Sequence, residues 1–142
     1  DVQWWAEWYA DTGATASNAT VTVTYNDGTA ANLTTFAAGG TVRAGRMIPL
    51  NQLIPAAASG KYIRSIDSVQ LSASTATAGN FGFTCTRPRL TMPLLLANKM
   101  EIFDWAQLGF PEIFNSSCLT IIELCSTTST GYVRGGGKII HG

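Results

Sequence analysis

Charge is what this chain has least of. Lys, Arg, Asp and Glu make up 13% of its 142 residues, against about 25% in an ordinary soluble domain. A surface so poor in charge must be built largely from Ser, Thr, Asn, Gly and Ala. It loses little when buried against another protein, because few charges need desolvating. The formal net charge is zero, which argues against a general affinity for polyanions, so no nucleic-acid partner is expected. Histidine is scarcer still, with His141 the only one. Neither a Cys-His nor a Ser-His-Asp site can then be assembled around a positioned imidazole, and a His-rich metal site is excluded for the same reason. No apolar run reaches the roughly 18 residues of a membrane span, so no membrane partner is expected either. Cys85, Cys118 and Cys125 are odd in number and form no closed disulfide framework. All three are predicted to be reduced and mostly buried, which suits assembly in a reducing cytoplasm. No signal peptide is legible, and because the chain starts at Asp1 an initiator Met or longer leader is expected to have been removed or left out.

What the chain does have is apolar residues, at 46%, enough for the core of one domain. In "TVTVTYNDGTAANLTTF", residues 20–36, Val21, Val23 and Tyr25 point to one side and Thr20, Thr22 and Thr24 to the other. Asn26-Asp27-Gly28 supplies hairpin turn chemistry, and the return strand is predicted over Ala30 to Phe36. Gly39-Gly40 ends it. A third strand is predicted in "TVRAGRMIPL", followed by a loop punctuated by Pro55 and Gly60. "KYIRSIDSVQLSAS" alternates again, but its phase shifts, and a bulge near Asp67-Ser68 would reconcile the two halves. "FGFTCTRPRLTM" is a strand with Phe81, Phe83 and Cys85 on one face, weakened beyond Pro88. Leu94 to Leu108 reads as a helix stopped by Gly109 and Pro111, or as a strand over "KMEIFDWAQL". "SCLTIIELCSTT" reads as a strong strand. The whole is predicted to be all-β, an antiparallel β-sandwich or jelly roll of about seven to nine short strands with at most one short helix. It forms a single domain over 1–142, with an aromatic N-terminal arm at 1–12 and a Gly-tethered C-terminal tail at 131–142.

The search for chemistry returns little. Glu101 and Asp104 lie three apart with Glu112 nearby, and on a helix Glu101 and Asp104 would share a face as a hydrolytic pair requires. Any chain with this many acids contains such a group, so catalysis is not expected. The glycines at 135–137 lack the Lys-Ser/Thr continuation of a phosphate loop. No cofactor is expected. The charges are sorted, however. Residues 1–42 hold Asp1, Glu7, Asp11 and Asp27 without a base, residues 43–99 are basic with Asp67 the single acid, and residues 100–123 are acidic. These blocks either neutralise one another inside one fold or match neighbouring copies in an assembly. Trp4, Trp5, Trp8 and Tyr9 crowd the start of the chain, and such a segment must be pinned to its own core or to a partner. The expected partner interface is Trp4, Trp5, Trp8 and Tyr9, the basic spot Arg87 and Arg89, and the tail residues Tyr132, Arg134, Lys138, Ile139 and Ile140.

The chain as a whole resembles the small β-sandwich structural proteins of tailed-bacteriophage virions, most of all the cement or decoration proteins that clamp a capsid from outside. The likeness lies in "TVTVTYNDGTAANLTTF", in "VRAGRMIPLNQLIPAAASGKYIRSI" and in the charge-poor Ala/Thr/Ser style. It implies a jelly-roll fold, self-association into a homodimer or higher homo-oligomer, and binding to the major capsid protein on the virion exterior after assembly in the host cytoplasm. It implies no cofactor and no turnover. Two other classes stay open: a carbohydrate- or receptor-binding module that stacks Trp and Tyr on sugars, and another head, tail or pilus-like subunit that exchanges a terminal strand.

Overall fold

The computed structural model describes residues 2–75, 78–93, 99–104, 107–110 and 112–124. It is an all-β sandwich of two antiparallel sheets. The strands are β1 (Gln3–Ala10), β2 (Asn18–Tyr25), β3 (Ala30–Asn32), β4 (Phe36–Ala37), β5 (Met47–Pro49), β6 (Ile63–Leu71) and β7 (Asn80–Thr86). One sheet has the order β5-β1-β7. In the other, β6 lies along one edge of β2, and β3 and β4 share the opposite edge. Two short 3-10 turns, Leu50–Leu53 and Ala56–Ala58, follow β5 and are the only helical segments among the described residues.

The hairpin forms as its residues dictate. Ala19, Val21, Val23 and Tyr25 are buried while the intervening threonines are half-exposed. Tyr25 donates its N–H to Thr29, and Gly28 adopts φ of +83°, the left-handed geometry a tight reversal requires. Asp27 accepts from the Thr29 N–H at 3.0 Å and from the Thr29 hydroxyl at 2.6 Å, and pairs with Lys61 Nζ at 2.7 Å. The Lys61 contact, aided by Thr29, holds the Asp27 carboxyl well below the ordinary carboxylate range. A carboxyl lowered in the folded state stabilises above its unfolded value, and that contribution is lost as pH falls toward the folded one. Wild type should therefore lose urea resistance below about pH 4 more steeply than Asp27→Asn. Equal acid slopes in urea titrations would show that the turn carboxylate contributes nothing.

The predicted bulge in β6 is present. Ser68 opposes Thr22 while Ile66 opposes Val23, which leaves Asp67 as the extra residue. A second irregularity leaves Arg64 between Ser65 and Ile63. The return strand is broken into β3 and β4, with buried Leu33 between them donating its N–H to Val21 at 2.8 Å. Only Met47–Pro49 of the predicted third strand is regular. Thr41 (φ +65°) and Gly45 (φ +81°) turn the chain out of the extended region, and the stretch is held to β1 by the Trp8 and Gly45 amides instead.

The two sheets meet on an aromatic seam. Trp8 of β1 stacks on Phe81 of β7 at 5.6 Å and meets Phe36 of the opposite sheet edge-on at 6.0 Å. Its indole N–H donates to the Ala38 carbonyl at 3.1 Å. Val21, Val23, Tyr25, Leu50 and Ile63 complete the centre.

The C-terminal third departs from expectation. Among the described residues, nothing beyond Ile63 is buried. Residues 99–104 form neither the expected helix nor a strand, and 117–124 form no strand. A strand needs a neighbouring backbone as well as an alternating pattern, and among the described residues neither stretch pairs with one. Asp104 instead anchors a single turn, accepting from the Gln107 and Leu108 amides. The remainder of the 94–108 segment lies outside the described residues.

Candidate interaction site

The alternation of β1 divides its aromatic cluster between two faces. Trp4, Ala6 and Trp8 face the core, and Trp5, Glu7 and Tyr9 face outward. Trp4 packs against the core and donates its indole N–H to the Ile63 carbonyl at 3.3 Å. Trp8 is 1% exposed, with the Arg46 guanidinium 5.8 Å from its ring. Trp5, on the outer face, is buried apart from the core cluster and donates to Thr86 Oγ1 at 2.8 Å. Tyr9 is the exposed member, and its ring lies over Gly82, where a Cβ would meet Tyr9 Cε2 and the hydroxyl at 3.0 Å. Between them, Glu7 accepts from the Thr84 hydroxyl at 2.7 Å.

This overturns the idea of an N-terminal aromatic arm. Residues 3–10 are the central strand of a sheet, and the bulk of Trp4, Trp5 and Trp8 is spent on the fold itself. Buried indoles such as Trp5 and Trp8 offer no ring face on which a sugar could stack. Of the basic spot, Arg87 is exposed, and Arg89 sits 5.8 Å from the ring of Phe114. Tyr132, Arg134, Lys138, Ile139, Ile140, Cys125, His141 and the triple glycine lie outside the described residues.

Comparison with protein-family models, curated proteins and solved structures found no match.

The charge blocks meet inside the fold where they can be seen. Asp11 pairs with Arg43 at 2.6 Å and Asp27 with Lys61. The backbone N–H of Ala44, then Arg43, lower the Asp11 carboxyl. Both pairs lie at the surface and contribute little to stability. Cys85 and Cys118 are free and exposed, against the expectation of buried thiols. Cys85 shares the parity of Phe81 and Phe83 but lies near the end of β7, away from the core cluster.

The surface that sequence reasoning missed lies after β7. Met100, Ile102, Phe103, Leu108, Phe114, Leu119, Ile121 and Leu124 are all exposed, with Met100 at 81% and Ile121 at 89%. So many exposed apolar side chains along one stretch make it the candidate for a surface that another molecule covers. The signal was in the sequence as an apolar stretch, but it was read there as a helix or a strand. Among the described residues no group of three or more His, Cys, Asp or Glu side chains could hold a metal ion.

Proposed function

We propose that the chain is a non-catalytic structural protein of a virion, a cement or decoration protein that binds the capsid exterior and bridges major capsid protein subunits. One observation carries the reading. Among the described residues the buried core ends at Ile63, with Phe81 and Phe83 packed against it, while the segment after β7 presents Met100, Ile102 and their neighbours to solvent. A sandwich followed by an exposed apolar stretch suits a subunit that grips a shell. Low charge keeps the desolvation cost of gripping small, and many repeated contacts convert modest single affinities into firm attachment. The likeness of sequence style to phage cement proteins supplies the class of partner.

The test mixes the full chain with empty shells of the major capsid protein and measures co-sedimentation and the temperature at which shells rupture. Wild type should saturate the shells and raise that temperature. The double variant Met100→Ser/Ile102→Ser removes two exposed apolar side chains, each contributing about 1.5–3 kcal/mol when buried, so binding should weaken by at least about 100-fold. Its thermal unfolding should match wild type. Wild-type chain that leaves shells bare, or a double variant that binds as well as wild type, would remove the proposal.

A further inference from the structure

β7 carries an open edge. β1 occupies one side of it, and among the described residues no strand occupies the other. Edge strands elsewhere in the sandwich carry the devices that discourage further pairing. β6 has two bulges and the charges of Arg64 and Asp67. β3, β4 and β5 are two or three residues long, and β5 ends in Pro49. β7 has none of these: its seven residues, NFGFTCT, include no charge and no proline, and the irregularity in its pairing falls at Tyr9 of β1.

The same chain contains a strand sequence without a sheet. Residues 117–124, SCLTIIEL, are rich in the β-branched and apolar residues that strands favour, yet Ile121 is 89% and Leu124 70% exposed. The segment begins at a reversal. Ser117 donates its N–H to the Phe114 carbonyl at 3.2 Å, and Ser116 has φ of +68°. Phe114 is itself held beside Arg89, just past its own β7, and among the described residues the stretch after the reversal pairs with no strand. Charge matches the two halves. Arg87 stands exposed at the end of β7, Glu112 precedes the segment and Glu123 lies within it, and none of the three forms an ion pair among the described residues.

We propose that residues 117–124 of a second copy of this chain add as a strand to the open edge of β7, and that the exchange is reciprocal, closing a two-fold dimer. Main-chain hydrogen bonds along the edge provide the attachment, and the apolar side chains of Leu119, Ile121, Ile122 and Leu124 add contact area to it. The proposal uses residues other than Met100 and Ile102, so separate variants test it and shell binding.

The experiment compares the full chain with Ile121→Pro by sedimentation over a concentration series and by amide hydrogen exchange. Proline removes an N–H donor and blocks pairing at the centre of the segment, at a side chain that no described element needs. Wild type should sediment as a dimer and the variant as a monomer with unchanged circular dichroism. Alternate amides of Phe81–Thr86, those facing away from β1, should exchange at least about tenfold more slowly in the dimer. A wild-type monomer with these amides protected would mean the chain's own segment fills the edge, and a monomer with them unprotected would leave it for another protein. A dimer whose β7 amides exchange as in the variant would place the contact elsewhere. Each of these results overturns the proposal.

Discussion

Trp8→Ala should lower the stability of the sandwich by about 4 kcal/mol, a large part of the ~5–15 kcal/mol available to an ordinary domain. The side chain is almost fully buried and joins both sheets, through Phe81 on one and Phe36 on the other. Removing it deletes the seam and also strands the buried Ala38 carbonyl, which now accepts the indole N–H. The urea midpoint should fall by roughly 2 M, given slopes of ~1–3 kcal/mol per M. Trp8→Phe, which keeps a ring but not the donor, should fall between the two. A midpoint within 0.5 M or so of wild type for Trp8→Ala would mean that the seam is not what holds the sheets together.

Val23→Asp should abolish cooperative folding. Val23 has no exposed surface and is flanked across the sheet by Ala31 and Ile66. A carboxylate there has no partner, and burying it costs several kcal/mol even after the surroundings relax. Three residues back on the same strand, Thr20 faces outward opposite Gln70, and Thr20→Asp should cost no more than about 1 kcal/mol. Near-ultraviolet circular dichroism of the aromatic seam reads both outcomes. Similar effects at the two sites would mean that the faces of β2 are not divided as the alternation requires.

The parts of the fold legible in the sequence are those where a local pattern determines its own surroundings. Thr and Val alternating before Asn-Asp-Gly can form little but a hairpin, and the phase slip between Ile66 and Val69 can be reconciled only by an added residue, which the structure places at Asp67. The Trp cluster was harder. Spacing allowed either a helical turn or a strand, and only pairing with β5 and β7 decides for the strand. The C-terminal third was misread because alternation reports what a segment would do beside a neighbour, not whether one is there. "SCLTIIELCSTT" has a strand's pattern, and through Leu124 no strand forms. For the same reason the candidate interaction surface moved from the buried tryptophans to Met100, Ile102 and Ile121, whose exposure no periodicity could foretell.

The central position of β1 sets a timetable for synthesis. Trp5 is synthesised almost eighty residues before its partner Thr84 on β7, a delay of roughly 4–16 s at ribosomal speeds. Until β7 arrives, the most aromatic stretch of the polypeptide has at most the three residues of β5 to pair with and is open to capture by chaperones or by neighbouring nascent chains. Slower elongation lengthens this exposure, so the yield of soluble protein should track the rate of translation between Ala10 and Thr86 more closely than it tracks equilibrium stability.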